Sequence, residues 1–366
     1  VVADRLCLTK VMNRERRVES MPMVLTLNRT VMDGADPATG QLDNVLYVFG
    51  GVFGGDGAEG LKKTILLRTS EECQLVEKFM AQMPGEQVLK NFKSEDRPQT
   101  LAVRLTGEGG KPLAGGTDLF VRLRKGAERP PFLVYVGEIP ELRGIRTTEG
   151  GVEIGAAATH AEILSAPATA QLPILRLALA TIGSPALRHM GTLGGNVANA
   201  SPAGDGLIPL YLLGARVNVV GPARERSLPV EEFVLGPGRT ALQPGELIRS
   251  LAIPLPQDGA HPYFRKVGRR QALLIAVASL GALVWVEDGA VREARLALGS
   301  VAPTVLRPRE VERALVGRPL TVEALAELRD ALSSAARPIS DLRASADYRR
   351  RVSGNLLLDL SSLASG

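Results

Sequence analysis

Two glycine pairs, each followed by small polar residues, are the segments of this chain best suited to binding a ligand. The first lies in Lys111–Leu119, which reads Lys-Pro-Leu-Ala-Gly-Gly-Thr-Asp-Leu. Gly115 and Gly116 can adopt backbone angles closed to other residues and let the main chain approach a ligand closely. Thr117 and Asp118 suit the start of a helix, whose unpaired amides attract anions. The segment predicts a cradle for a pyrophosphate, with a tight strand-to-helix turn as the alternative.

The second segment, Gly191–Asp205, places a glycine pair before four small polar residues, namely Asn196, Asn199, Ser201 and Asp205. We expect a loop this small and polar to expose many backbone amides. Each charge-assisted hydrogen bond contributes roughly 1.5–3 kcal/mol, so several could hold a dianionic linker without any lysine. The alternative is a surface loop that carries polar side chains without a ligand. The presence of two glycine pairs in one stretch of the chain makes this alternative less favoured.

Composition excludes several other classes of site. The net charge is +5 and the pI about 9.3, but basic residues alternate with acidic ones and form no run typical of nucleic-acid binding. Cys7 and Cys73 are too few for an iron–sulfur cluster, which usually needs four thiolates. His160, His189 and His261 are too far apart for zinc-site spacing. We predict no metal ligands and no nucleic-acid partner.

The longest apolar run, Ala272–Val286, is too short to span a bilayer and indicates a buried strand. The first residues include Asp4, Arg5 and Lys10 instead of a hydrophobic signal core. Two cysteines imply no disulfide framework, which suits a reducing compartment. We therefore expect a cytoplasmic protein without a membrane span.

The chain divides into three regions that position these segments. Residues 1–108 form an unassigned α/β region, and residues 109–255 and 256–366 form the second and third regions. In the first, Asn44–Phe49 and Thr64–Arg68 predict strands, and Glu71–Met83 predicts a helix. In the second, strands and helices alternate, as in α/β structure; they are expected at Phe132–Val136, Gly151–Gly155 and Arg216–Val220 (strands) and Ala161–Ser165 and Pro173–Thr181 (helices).

The third region predicts an antiparallel sheet with helices on one face. Asp288–Gly289 is a turn signal between Leu274–Val286 and Val291–Leu298, which predicts a hairpin. Helices are expected at Val322–Ala336 and Ala346–Asp359.

A third glycine-rich segment, Gly55–Gly60, fits the G-x-G-x-x-G pattern of dinucleotide-binding loops. That fingerprint should open a helix, whereas here the chain continues into the strand-like Thr64–Arg68. The segment therefore predicts a hairpin-type loop.

An ordered set of motifs resembles the FAD-binding medium subunit of molybdenum hydroxylases, which include xanthine dehydrogenase and carbon monoxide dehydrogenase. The resemblance covers about residues 109–366 with almost no gaps. Its motifs are Gly115–Asp118, Thr192–Asn196, Ala200–Pro202, Thr240–Ile248, Tyr263–Arg270, Ala297–Pro303 and Asp341–Arg349.

The resemblance implies binding roles for individual residues and no catalytic residue in this chain. One group would wrap the pyrophosphate and ribityl region: Pro112, Leu113, Ala114, Gly115, Gly116, Thr117, Asp118 and Leu119. A second group would form the other pyrophosphate loop: Thr192, Gly194, Gly195, Asn196, Asn199 and Ser201. Asp205 would bind the sugar or adenine side, and Ile182 and Ile248 would pack against adenine or flavin. Lys266 would lie near the FAD, where its charge would stabilise the diphosphate or the reduced flavin; a solvated lysine at a strand end is the alternative.

The implied fold is α+β, with a two-subdomain FAD-binding domain similar to that of vanillyl-alcohol oxidase and p-cresol methylhydroxylase (PCMH), followed by a C-terminal antiparallel sheet with helices. The implied partners are an iron–sulfur small subunit with [2Fe-2S] clusters and a large subunit with the molybdenum cofactor (molybdopterin). Electrons would pass from them through FAD to NAD or another acceptor. The alternatives are a stand-alone FAD oxidoreductase and a structural subunit without flavin.

The region before the first glycine pair departs from the family. Family members begin some thirty residues before this loop with a strand, a proline and a helix, whereas Leu101–Leu105 alternates like a strand. The first 100 or so residues have no counterpart there. Because one wall of the pyrophosphate site would then lose support, we expect weaker flavin retention than in the family.

Overall fold

The computed structural model describes residues 2–4, 7–12, 18–35, 39, 44–48, 61–76, 85–90, 92–107, 110–222, 224–270 and 274–365. The chain divides into two compact units. The first contains residues 1–111 and 130–133, and the second contains 112–129 and 134–366. Among the described residues, none of the helices combines the length and the apolar character needed to traverse a lipid bilayer.

The first unit is built from short antiparallel strands. Its elements are β1 (Val2–Asp4), β2 (Leu8–Met12), β3 (Val18–Asn28), β4 (Asn44–Val48), β5 (Leu61–Arg68), β6 (Cys73–Leu75), α1 (Gly85–Lys90) and β7 (Thr100–Gly107). β3 pairs with β2 and β4, β1 pairs with β6, and β5 pairs with β7. Leu25, Leu27 and Leu101 are buried in its core.

The predicted strands near 44 and 64 and the strand-like stretch Leu101–Leu105 are confirmed as β4, β5 and β7. The helix predicted over Glu71–Met83 is wrong at its start, because Cys73–Leu75 is a strand paired with Val2–Asp4. A partner strand distant in sequence overrides the local preference there. Residues 77–84, and the glycine-rich loop at 50–60, lie outside the described residues.

The second unit begins with two short strands flanking a helix. These elements are β8 (Lys111–Leu113), α2 (Leu119–Arg124) and β9 (Leu133–Tyr135), and β8 and β9 form a two-stranded sheet. The Val136 N–H donates to the Leu113 carbonyl at 2.8 Å, which ties the two strands together where β8 ends. The first glycine pair follows β8 directly.

A five-stranded antiparallel sheet and a helical layer come next. The elements are β10 (Ile145–Thr148), β11 (Gly151–Gly155), α3 (His160–Ser165), α4 (Pro173–Ala180), α5 (Pro185–Met190), α6 (Leu193–Asn199), α7 (Leu207–Leu213), β12 (Arg216–Val220), β13 (Glu225–Pro229), α8 (Val230–Phe233), β14 (Val234–Gly236), β15 (Arg239–Thr240) and β16 (Leu247–Pro254). The sheet order is β10-β11-β16-β12-β13, and β14 pairs with β15. The fully buried α4 residues Ile174, Leu175 and Leu179 belong to the same core as the α7 residues and the inward residues of this sheet.

The remaining residues form a three-stranded antiparallel sheet and a helical layer. They comprise β17 (His261–Val267), β18 (Ala278–Glu287), β19 (Ala290–Gly299), α9 (Arg309–Leu315), α10 (Val322–Ala326), α11 (Arg329–Ala335) and α12 (Ala346–Leu358). The hairpin predicted at Asp288–Gly289 is confirmed, with both residues at positive φ. The strand predicted from Leu274 begins only at Ala278. The α+β class and the C-terminal sheet with helices are confirmed.

One apolar core joins the five-stranded sheet to the C-terminal sheet. Leu251 of β16 lies in the same buried cluster as Leu283 and Trp285 of β18. A second cluster fills the space between β18, β19 and the C-terminal helices. The predicted boundary near residue 255 remains a prediction.

Candidate functional site

The first glycine pair lies against the main chain that leads into α6. A Cβ atom built on Gly115 would lie 1.7 Å from the carbonyl oxygen of Met190 and 3.1 Å from Cα of Gly191. Only a residue without a side chain permits this approach. Gly116 has φ +70°, a left-handed conformation that also favours glycine. Both glycines are thus required by the path of the chain.

The amides that follow this glycine pair have no protein partner. Within the described part of the chain, the N–H groups of Gly115 through Leu119 donate to no protein acceptor. The helix begins at Leu119, where the sequence places it, but Asp118 makes no side-chain capping bond. Because neither Thr117 nor Asp118 caps the helix, this run of donors remains open to an external acceptor.

The amides around the second glycine pair, in contrast, donate to acceptors within the protein. The N–H groups of Leu193 and Gly194 donate to the carbonyls of Ala158 and Ala156, at 3.1 and 3.0 Å. Thr192 Oγ1 caps α6 by accepting from the Gly195 N–H at 3.0 Å. The Asn196 N–H donates to the Thr192 carbonyl. The expectation that this segment exposes many amides is therefore wrong for residues 193–196.

Gly194 has a packing role that explains its lack of a side chain. Its built Cβ would lie 2.5 Å from Cβ and 2.6 Å from the carbonyl oxygen of Ala156, just after β11. The start of α6 thus sits directly on the end of a sheet strand. An isolated bridge between Thr159 and Thr192 holds the same junction from the other side.

The helix that follows the first segment, α2, also contacts the second segment through a side chain. The Arg122 guanidinium, in the last turn of α2, donates to Asn199 Oδ1 at the end of α6 and also pairs with Glu128 at 2.9 Å. The first segment therefore approaches the chain before α6 through Gly115, and the helix that follows it reaches the end of α6 through Arg122. Arg122 was not among the predicted site residues, and a lone arginine in a short helix gives no sequence signal for this contact.

Lys266, on β17, is buried and fully engaged with the protein. Its Nζ donates to Asp205 Oδ2 at 2.7 Å, to the Thr181 carbonyl at 2.7 Å and to the Leu274 carbonyl at 3.4 Å. The side chains of Lys266 and Asp205 are each 7% exposed. The alternative of a solvated lysine at a strand end is therefore wrong.

Asp205, just before α7, keeps one carboxylate oxygen without a partner. Oδ2 is held by Lys266, whereas the buried Oδ1 accepts no hydrogen bond from any residue that the structure describes. Burial raises the pKa of Asp205, and the Lys266 ammonium acts in the opposite direction. An unpaired buried acceptor of this kind is costly unless a donor reaches it.

Asn196 and Ser201 lie on the chain beside this carboxylate. The Asn196 side-chain oxygen has no hydrogen-bond partner among the residues described and would lie 2.6 Å from a Cβ built on Gly206. Ser201 Oγ accepts from the Ala203 N–H at 3.3 Å, which shapes the turn between α6 and α7. Asn196, within α6, thus lies against Gly206, the residue that follows Asp205.

The two predicted apolar residues differ in how far they are covered. Ile248, on β16, is 7% exposed and belongs to the main core. Ile182 follows α4 next to Thr181, is only partly buried and packs on the edge of that core. Ile182 is thus next to the carbonyl that Lys266 contacts, whereas Ile248 is surrounded by core residues.

His160 packs against Gly191, the first residue of the second segment. It is the first residue of α3, and its backbone N–H donates to the Gly191 carbonyl at 2.9 Å. Its ring carbon Cδ2 would lie 3.3 Å from a Cβ on Gly191. Burial, together with Arg188, lowers the pKa of His160 to about 4, so the ring is neutral near pH 7.

These residues offer two kinds of hydrogen-bonding chemistry. The amides of 115–119 supply donors, which match the oxygens of a diphosphate. Asp205 supplies a buried acceptor, which matches a hydroxyl or amino group. The first segment packs against the residues just before α6, and Asp205 follows α6 along the chain. This seven-residue helix is about 10 Å long. The arrangement fits a dinucleotide such as FAD, which carries a diphosphate, sugar hydroxyls and an amino group.

Two family models match almost all of the second unit. Residues 91–256 match the FAD binding domain in molybdopterin dehydrogenase, and residues 263–362 match the CO dehydrogenase flavoprotein C-terminal domain. The first match begins at residue 91, so most of the first unit has no counterpart in it.

Individual relatives extend over the same part of the chain. The carbon monoxide dehydrogenase medium chain of Afipia carboxidovorans is 34% identical over 267 residues, which cover 71% of this chain and 92% of the relative. A putative xanthine dehydrogenase FAD-binding subunit of Escherichia coli is 31% identical over 266 residues, covering 71% and 91%. The carbon monoxide dehydrogenase structure from Hydrogenophaga pseudoflava superposes with a TM-score of 0.67 at 32% identity, covering 70% of this chain and 91% of that one.

Proposed function

The chain belongs to the FAD-binding medium subunits of the molybdenum hydroxylases, and from this we propose that it holds FAD between its first glycine pair and Asp205 and relays electrons within a multi-subunit complex. The observation that carries the proposal is the run of unpartnered amides at 115–119, held against α6 in a chain that matches the family from residue 91. FAD, when bound, accepts and releases electrons. Everything else in the site is binding, orientation and exclusion of water.

The donor segment would hold the diphosphate. The amides of Gly115, Gly116 and Thr117 would donate to its oxygens, and the lack of side chains on the glycines would let the phosphates reach the main chain. Asn199 would contribute from the end of α6, where Arg122 orients its side chain. Thr192, Gly194 and Gly195 would act indirectly, since their amides and hydroxyl hold α6 in place.

The acceptor side would bind the rest of the cofactor. Asp205 Oδ1 would accept from a sugar hydroxyl or the adenine amino group, with Asn196 and Ser201 beside it. Ile182 would pack on the adenine or flavin ring, and Lys266 would act nearby. Ile248 would support this surface from within the core.

The complex would supply the other redox centres. Relatives are named medium chains, which implies a small and a large subunit, and the family model names a molybdopterin dehydrogenase. We infer that an iron–sulfur small subunit delivers electrons from a molybdopterin large subunit, and that NAD or another acceptor removes them. A cytoplasmic location agrees with the presence of only two cysteines.

Measuring bound flavin tests the proposal directly. The purified chain, titrated with FAD and followed by flavin fluorescence and by FAD released per chain, should bind one FAD. Failure to bind FAD even when it is added in excess would contradict the proposed function and favour a structural subunit without flavin.

Retention of the flavin is a separate expectation. Where family members begin with a strand and a helix, this chain has the strand Thr100–Gly107, which pairs with β5. We expect the chain to purify with less than one FAD and to reach full occupancy on addition of FAD. Full occupancy straight from purification would show that this replacement does not weaken the site.

A further inference from the structure

Lys266 is a buried charge whose contacts are all within the unit that carries the candidate site. Its ammonium has three donors, and three protein acceptors take them: the Thr181 carbonyl, Asp205 Oδ2 and the Leu274 carbonyl. These acceptors come from the end of α4, the turn before α7 and the segment after β17. A lysine ammonium has no further donor to offer a ligand.

We propose that Lys266 is a positioning residue that fixes Asp205 with its free oxygen, Oδ1, presented as an acceptor to a hydroxyl or amino group of the bound dinucleotide. The inference rests on the proposed function, because the ligand is the FAD of that function. It differs from the role that family resemblance implies, in which the lysine charge itself acts on the diphosphate or the flavin.

The geometry around Asp205 supports a positioning role for Lys266 and a ligand-binding role for Asp205. Lys266 occupies Oδ2 alone, so the carboxylate cannot rotate without breaking a 2.7 Å bond in a site where both side chains are 7% exposed. Oδ1 is buried and has no partner among the protein groups described. Among the described residues, Lys266 is the charged group that acts on Asp205, while Thr181, Leu274 and Asn196 nearby are uncharged.

The two roles predict opposite effects for Asp205→Asn. If Lys266 positions Asp205, this variant loses the anionic acceptor, and FAD affinity falls roughly tenfold to a hundredfold, the value of one charge-assisted hydrogen bond. If Lys266 instead acts on phosphate, removing its carboxylate partner frees the ammonium, and FAD binds as tightly as before or more tightly. The second result would overturn the proposal.

Glu312→Gln is the matched control for Asp205→Asn. Glu312 is a buried carboxylate paired with Arg307 at 2.7 Å, each side chain being 8% exposed, between α9 and β19. This substitution also removes one buried negative charge beside a cation, but at a site without an unpartnered oxygen aimed at the candidate ligand. We expect it to lower stability and to leave FAD affinity within about twofold.

A double-mutant cycle separates the roles further. Once Asp205 is Asn, a positioning lysine has nothing left to orient, so Lys266→Met with Asp205→Asn should bind FAD about as well as Asp205→Asn alone. Additive losses would mean that Lys266 has its own contact with the cofactor, and the proposal would fail. Far-UV circular dichroism and thermal unfolding of each variant establish that folded protein is compared.

The pH profile of Lys266→Met provides an independent readout. Burial raises the pKa of Asp205 and the Lys266 ammonium opposes that shift, so in Lys266→Met the pKa rises further and the carboxyl stays protonated up to a higher pH. FAD affinity of this variant should rise with pH as the carboxylate ionises, whereas variants carrying Asp205→Asn should show no such rise. A flat profile for Lys266→Met would contradict the proposal. If the wild-type chain binds no FAD at all, the proposed function itself fails, which is a distinct result.

Discussion

The two glycine-pair segments look alike in sequence and are opposites in structure. The amides of 115–119 have no partner in the described part of the chain, whereas after Thr192 four consecutive amides are bonded within the protein. The first segment uses its glycine to approach the chain before α6, and the second uses Gly194 to seat α6 on Ala156. The difference teaches that a glycine pair marks a close approach of main chain and does not say whether the neighbour is a ligand or the fold itself.

Gly115→Ala should give the largest effect. The added Cβ would meet the Met190 carbonyl at 1.7 Å, so the donor segment has to move away from α6. Loss of two charge-assisted bonds to phosphate, roughly 3–6 kcal/mol, weakens FAD binding by about a hundredfold or more. Titration with FAD measures it.

Gly236→Ala is the control for that substitution, because nothing lies within 4 Å of its built Cβ. It should leave FAD affinity unchanged. Equal affinity of the Gly115→Ala variant and the wild-type chain would mean that the donor segment does not bind the cofactor. The proposed difference between the two glycine-pair segments would then be wrong.

His160 should make the second segment sensitive to acid. Its pKa falls from an ordinary 6.5 to about 4 on folding, so the unfolded chain takes up the proton first. The neutral, buried His160 ring therefore does not lower the free energy of unfolding above pH 6.5. As the pH falls from 6.5 towards 4, protonation of the unfolded chain lowers that free energy by about 3 kcal/mol. Chemical unfolding between pH 7 and 4 should show a shallower decline for His160→Gln than for the wild-type chain.

The exposed His189, on neighbouring α5, is the control for this measurement. His189→Gln should keep the wild-type dependence on pH. If both variants decline as steeply as the wild-type chain, burial of His160 behind Gly191 does not govern acid stability.

Gly194→Ala should destabilise the fold before it affects the ligand. Its Cβ would overlap Ala156 backbone and side-chain atoms at 2.5–2.8 Å, and overpacking of this kind costs about 1–3 kcal/mol. The free energy of unfolding should fall, and FAD affinity of the folded fraction should change far less than in Gly115→Ala. The reverse ranking would show that the second segment, and not the first, faces the ligand.

Thr192→Ala should have the smallest effect of the series. It removes the hydroxyl that caps α6 at Gly195, worth about 1 kcal/mol of stability. Asp118→Ala is the matched change in the first segment, where the residue before α2 makes no capping bond, and should cost less than about 0.5 kcal/mol. Urea unfolding of the two variants compares them, and equal losses would show that the caps do not distinguish the segments.

Local sequence patterns identified much of the fold. Gly151–Gly155 and Arg216–Val220 are strands as predicted, and the helix predicted at Ala346–Asp359 is α12, Ala346–Leu358. Such segments are settled by near neighbours, because side-chain periodicity and turn residues act over a few positions. Cys73–Leu75 was mispredicted because its partner, Val2–Asp4, lies about seventy positions away.

The sequence by itself located both glycine-pair segments, Asp205 and Lys266, and its motifs indicated the family. Only the tertiary structure decided what each group contacts. Whether the amides of Leu193 and Gly194 are free depends on the carbonyls of Ala158 and Ala156, which lie between β11 and α3. Lys266 and Asp205 are 61 positions apart and become an ion pair only when β17 packs beside the turn before α7. Hydrogen bonds are short-range, so the partners of these groups are set by packing and not by spacing along the chain.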